Sequence, residues 1–335
     1  MSLTRPRAAR FAPLPVLLSV VFLSVSLAQA PDQKTPYWAY ALDPPATASA
    51  SPDKNPPPDP ALLHVPDSSV SFTLAQTQNF FRVADWHPGS HPPMPPIVSA
   101  GRKPGLYACA YCHLPNGQGR PENASLAGLP AAYIIQQMSD FQSGARKTSE
   151  PRHLPAVNMG NVAKAAKAAD VQSAAAYFSS LKPKPWIRVV ETDSVPKTHV
   201  AGWMLVAIPN AGTEPIGRRI IEMPENLERT ELRDDASGFI AYVPGGSLEK
   251  GKILVTTGSS GHTLPCTTCH GTDLRGLANV PSIAGRSPSY IVRQFLDMQS
   301  GARHGGATVL MQPVVARLTL DDIIAISAYL ASLHP

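Results

Sequence analysis

This 335-residue chain has only four cysteines, and they fall in two pairs, Cys109/Cys112 and Cys266/Cys269. Neither pair sits in the strand–helix–strand pattern in which a C-x-x-C redox disulfide belongs, which argues against a thioredoxin-like function. The pairs stand 157 residues apart, much farther than the pairs of a usual four-thiolate zinc site, and the histidine after each would be idle there. Beyond Leu27 no apolar run approaches the length needed to cross a bilayer, so the remainder reads as a soluble protein. A basic footprint for nucleic acid is also missing. Of the net charge of +5, three charges are Arg5, Arg7 and Arg10, leaving about +2 for the rest.

Those three arginines open a different feature. They precede an apolar run from about Leu14 to Leu27, which ends at Ala28-Gln29-Ala30. A charged region, a short apolar core and a small-x-small site together read as a secretory signal peptide over 1–30. The run is short for a membrane span. The expected mature protein is therefore exported and soluble, with an uncleaved anchor as the alternative. Proline is abundant, 36 of 335 residues, roughly twice the average usage. Much of it lies between Pro31 and Pro96, so 31–93 reads as an extended, irregular arm.

The cysteines are followed by histidine in both places, as Cys109-Ala110-Tyr111-Cys112-His113 and Cys266-Thr267-Thr268-Cys269-His270. C-x-x-C-H is the attachment signature of c-type haem. On a helix, positions i, i+3 and i+4 share a face. Two thiols can then reach the two vinyl groups of one porphyrin, while the imidazole meets the iron. Two such motifs that absorb every cysteine are hard to explain by chance. Two haem c groups, each with iron, are the expected cofactors, attached through Cys109, Cys112, Cys266 and Cys269 and ligated by His113 and His270.

The motifs belong to an internal repeat. Ser125-Leu126-Ala127-Gly128 matches Ser282-Ile283-Ala284-Gly285, and Ser143-Gly144-Ala145-Arg146 matches Ser300-Gly301-Ala302-Arg303, all at an offset of 157. The register then resumes at 152, with Met159 against Met311 and Tyr177 against Tyr329. Tyr133, Ile134, Gln137, Met138 and Phe141 form one helical stripe, as do Tyr290, Ile291, Gln294, Phe295 and Met298. A last helix repeats around Tyr177 and Tyr329, and Thr319-Leu320-Asp321-Asp322 reads as its cap in the second copy.

With these residues in view, each half resembles a class I cytochrome c domain, and the tandem resembles the periplasmic two-domain dihaem cytochromes of the cytochrome c-four type. The resemblance rests on C-x-x-C-H, the L/I-A-G before a Y-I helix, Q-S-G-A-R, the methionine and the final A-x-Y-F/L helix. It implies a mainly α fold with cytochrome domains at 94–182 and 247–335, to which the residues add a strand-rich segment at 183–246 and the proline-rich arm. It also implies single-electron transfer between redox-partner proteins such as a membrane dehydrogenase, a bc1-type complex or a terminal oxidase. Family members usually place a proline after the motif, with its carbonyl facing the proximal histidine. Pro281 fits that place, whereas the first copy has Ala124.

Several segments depart from the cytochrome pattern. Trp186–Val190, Trp203–Ile208, Arg219–Glu222 and Phe239–Val243 are rich in strand formers and punctuated by proline and glycine. This middle reads as packing between the domains more than as a docking surface, and as dispensable for haem binding. In the arm, Pro88, Pro92 and Pro93 deny His87 and His91 a common helix, so they are not read as a metal pair. Phe80, Phe81 and Trp86 are expected to pin the arm onto the first domain.

The remaining axial ligand decides the chemistry. Methionine opposite histidine makes a six-coordinate electron carrier with a raised potential. Met159 and Met311, at matching places before the last helices, are the candidates. Met138 and Met298 alternate with phenylalanine between copies and read as packing. His153 and His304 do not coincide under either offset and read as surface or local hydrogen-bonding groups. A carrier with no small-molecule substrate is the expected function. The alternatives are a dihaem enzyme, peroxidase-like or thiosulfate-dehydrogenase-like, or the cytochrome subunit of a dehydrogenase or oxidase complex.

Overall fold

The computed structural model describes residues 1–2, 36–43 and 60–335. All but two residues of the expected signal peptide, and much of the proline-rich arm, lie outside the described residues. From Tyr37 on, the described elements belong to one compact unit that runs to Pro335.

The first half is built from α1 (Cys109–His113), α2 (Ala131–Ser143), α3 (Leu154–Ala165) and α4 (Ala168–Ser180). Extended Pro130 starts α2 and left-handed Gly144 ends it. Helix α2 packs on both α3 and α4. Ile134 thereby joins Ala174, Ala175 and Phe178 in a core that also takes in Ile97 and Val98. Those last two residues sit on a single helical turn, Pro96–Ser99. Prolines at 92, 93 and 95 leave no room for a longer helix ahead of it.

The second half has α5 (Ser247–Thr257), α6 (Thr267–His270), α7 (Pro288–Gln299) and α8 (Leu320–Ser332). Here the opening helix is full length and crosses α8 closely. Gly251 makes that approach possible, because a Cβ there would overlap the Ala325 carbonyl and crowd Tyr329. Thr319 and Asp322 form the reciprocal cap expected for α8. Asp322 also takes Lys250 at 2.8 Å and His262 at 3.0 Å, tying α8 to α5 and the following loop. Ile323, Ile324, Ile326 and Leu330 are buried, each contributing about 1.5–3 kcal/mol of apolar transfer.

The repeat extends to single hydrogen bonds. Gly119 N–H donates to the His113 carbonyl and Gly276 N–H to that of His270, at 2.9 and 2.8 Å. Gln142 donates its amide to the Ala163 and Ala166 carbonyls, and Gln299 to those of Val315 and Leu318. Two corners of the loop after the motif repeat in conformation but not in residue. Leu114 and Gly271 have φ of 61° and 85°, and Gly117 and Leu274 have 72° and 62°.

Between the halves, β1 (Ile187–Glu191), β2 (Ile221–Pro224) and β3 (Phe239–Val243) form a sheet in which β3 is central. Strand β3 runs parallel to β1 and antiparallel to β2. A strand at Met204–Ala207 pairs with Thr198–Ala201, and Ser194–Pro196 pairs with Thr213–Pro215. This segment is packed into the second half, as the reading of it as inter-domain packing expected. Ala241 and Val243 lie in the same core as α8. Buried Glu222 accepts from the Ser287 hydroxyl at 2.7 Å and the Ser289 amide at 3.1 Å, at the start of α7.

Candidate functional site

The two C-x-x-C-H motifs lie on short helical turns, Cys109–His113 and Thr267–His270, with Cys266 as the residue that caps the second. Each histidine is oriented by one backbone acceptor. His113 Nδ1 lies 2.8 Å from the Ala124 carbonyl oxygen, and His270 Nδ1 lies 2.8 Å from that of Pro281. A carbonyl can only accept, so Nδ1 carries the proton in both rings and Nε2 keeps its lone pair for a metal. The departure from proline at position 124 therefore leaves the second-sphere contact intact. Phe178 adds an edge contact to His113, with ring centroids 6.0 Å apart.

Burial sets the protonation of these groups. It pushes the Cys109 and Cys266 thiols up to about 12 and the Cys112 thiol up to about 11. It also lowers both histidines below their ordinary value, against the backbone hydrogen bond that raises them. These are neutral thiols and neutral imidazoles. Burial thus disfavours the thiolate form of these three cysteines. No cysteine is in a disulfide. The donor set thus fits haem c: two free thiols and one lone-pair imidazole nitrogen per motif, with the imidazole's other nitrogen already committed.

The methionines sit on separate elements. Met159 is half-buried within α3. Met311 is half-buried at the end of a 3-10 turn, Gly306–Met311, against the second core. Their sequence positions match, but their local structures differ, because the first copy has five more residues in this stretch. Apolar side chains are exposed beside each. Leu154 and Val157 share α3 with Met159, and Val309 and Leu310 directly precede Met311. Met298 is buried in the second core, as a packing residue should be. His304 is exposed, with Nδ1 2.9 Å from the Gly301 carbonyl. His153 is not a surface residue: it is buried at the start of α3, with Nδ1 3.1 Å from the Tyr40 carbonyl.

Sequence reasoning missed how closely the middle segment covers the first motif. The Arg233 guanidinium stacks 3.7 Å over the ring of Tyr111, inside the motif, and donates to the Tyr111 carbonyl at 2.9 Å. Gln118 and Asn116 donate to the Ser237 and Asp235 carbonyls from the following loop. From the other side, Phe80 of the arm packs against Tyr107 and Tyr111, with centroids 4.8 and 4.4 Å apart. Trp86 goes elsewhere, donating its indole N–H to the Leu232 carbonyl at 2.7 Å. The aromatic content of the arm was a usable signal, but nothing in the sequence around Arg233 pointed to its partner.

A family model described as Cytochrome c matches residues 100–182. Cytochrome c4 of Azotobacter vinelandii is 32% identical over 142 residues, covering 37% of this chain and 68% of that protein. Cytochrome c-554(548) of Halomonas halodenitrificans is 40% identical over 68 residues, 20% of this chain and 82% of that protein. The thiosulfate dehydrogenase electron acceptor of Thiomonas intermedia (strain K12) is 26% identical over 242 residues, 71% of this chain and 83% of that protein.

Proposed function

Since this chain belongs to the class I cytochrome c family in its dihaem, cytochrome c4-like form, we propose that it is an exported carrier passing single electrons between redox-partner proteins, with no substrate chemistry of its own. The observation that carries this reading is the equivalence of the two proximal sides. His113 and His270 make the same 2.8 Å contact through Nδ1. A dihaem peroxidase needs unlike halves, one of them able to open, whereas here both halves offer the same candidate pair of histidine and methionine. The haem c groups supply one-electron iron chemistry when bound. Cys109, Cys112, Cys266 and Cys269 would anchor them, and His113, His270, Met159 and Met311 would supply the ligands to iron. The haem-bearing domains are assigned to 94–182 and 247–335, and the compartment to the periplasm. The similarity to an electron acceptor named for thiosulfate dehydrogenase supports a dehydrogenase as the donor.

The reading is tested on the purified, exported protein. Intact mass under denaturing conditions should exceed the apoprotein by two haems. Carbon monoxide should leave the dithionite-reduced spectrum unchanged, and added peroxide should not be turned over. Rapid carbon monoxide binding at one haem together with peroxide turnover would replace the carrier with an enzyme.

A further inference from the structure

Outside the two C-x-x-C-H motifs themselves, the arm and the middle segment meet at a cluster of three ionisable side chains. His87 Nε2 lies 2.9 Å from Asp234 Oδ1 and 4.0 Å from Asp235 Oδ1. One donor atom from each residue falls within 4.8 Å of the other two. Asp234 is held in place by Arg229 at 2.6 Å and by the Ala236 amide at 2.9 Å. Asp235 is different. It is only 3% exposed, and both carboxylate oxygens lack a hydrogen-bond partner. A buried carboxylate with neither oxygen satisfied is costly and calls for a compensating charge.

We propose that His87, Asp234 and Asp235 bind one divalent transition-metal ion that clamps the arm to the middle segment beside the first haem-binding loop. Ligand atoms placed tetrahedrally at about 2.1 Å from a metal stand about 3.4 Å apart, and the two distances from His87 bracket that value. Filling the site needs only that Asp235 move inward and that His87 exchange its contact with Asp234 for the ion. One imidazole with two carboxylates suits zinc, manganese or ferrous iron, whereas calcium and magnesium favour all-oxygen sets. The His87 side chain is 14% exposed, which gives the ion a route in. The ion would sit next to the haem loop, because the Asp235 carbonyl accepts the Asn116 amide at 2.5 Å.

The test uses the dihaem holoprotein, whose thioether-linked haem survives chelation. After EDTA treatment and dialysis, the protein is titrated with zinc chloride and followed by calorimetry and elemental analysis. One zinc per chain should bind, undisturbed by excess magnesium, and should raise the thermal midpoint. Asp235→Asn and His87→Gln should each weaken zinc binding at least tenfold and abolish the thermal shift. His64→Ala and His304→Ala, at exposed histidines, should change neither. Absence of stoichiometric zinc from the wild-type protein, or equal binding by both site variants, would overturn the proposal and leave Asp235 as a buried carboxyl that keeps its proton.

Discussion

Arg146 and Arg303, equivalent residues of the two halves, each reach into the other half. Arg146 donates to Gln137 at 2.8 Å in its own helix pair, and to Tyr290 and Gln294 of the second half at 2.9 Å each. Arg303 does the converse, donating to Gln294 at 3.0 Å and to Tyr133 and Gln137 at 3.1 and 2.9 Å. The two residues also pair through their backbones as an antiparallel bridge. One residue type, repeated at the offset of 157, therefore joins the halves through a shared, half-buried set of donors and acceptors.

Arg146→Ala should destabilise the holoprotein by about 2 kcal/mol, because it strands half-buried tyrosine and glutamine groups. Arg303→Ala should cost a similar amount. Because the two arginines share Gln137 and Gln294, the double variant should cost less than the sum, with a coupling of about 1–2 kcal/mol. Urea unfolding followed by far-ultraviolet circular dichroism measures all three. Strict additivity would mean that the two arginines act independently.

Met159→Ala should open one haem to carbon monoxide and Met311→Ala the other, in each case leaving its companion closed. Each should lower the potential of the affected haem, since thioether ligation raises it. Met298→Leu should alter neither potential and should cost under about 1.5 kcal/mol. Spectroelectrochemical titration of each variant distinguishes these outcomes.

The same substitution should have opposite signs at two helical glycines. A Cβ at Gly160 in α3 would meet nothing within 4 Å, so Gly160→Ala should stabilise by roughly 0.5–1 kcal/mol. Gly251→Ala should destabilise by about 2–3 kcal/mol, because its Cβ overlaps the Ala325 carbonyl and forces α5 away from α8. Thermal unfolding of the two variants side by side is sufficient.

His153 should make stability depend on pH. Burial, helped by Arg293, holds its folded value down at about 3, against 6.5 for a free imidazole. Below 6.5 the unfolded chain binds a proton that the folded chain refuses, so stability rises with pH there. The contribution is complete above 6.5 and is lost progressively as pH falls toward 3, by a few kcal/mol in all. His153→Gln should flatten the profile in that window; an unchanged slope would mean that another group sets it.

The repeat made most of the helical framework legible. The stripe at Tyr133–Phe141 became α2, and the Thr319 cap formed as read. Strand formers at 239–243 gave the central strand, but its parallel partner at 187–191 could not be deduced, since pairing across about fifty residues leaves no local pattern. Ser194–Pro196 and Thr213–Pro215 were hidden by their prolines. Met159 and Met311 occupy matching places in sequence, yet one lies in a regular helix and the other ends a 3-10 turn, because the five-residue length difference is absorbed locally. The partners His87 and Asp234 lie 147 residues apart, and only the folded chain brings them together.

Two of the left-handed corners in the loop behind each haem motif carry a glycine in only one half, a different corner in each. Aligning the halves by residue identity scores both corners as mismatches, Leu114 against Gly271 and Gly117 against Leu274, although the backbone is the same. What marks this loop is a sequence of backbone angles, closed by the Gly119 and Gly276 amides on the histidine carbonyls. Reading glycine as the sign of a corner would therefore miss one of these corners in each copy. A comparison of φ angles recovers the duplication where the letters have diverged.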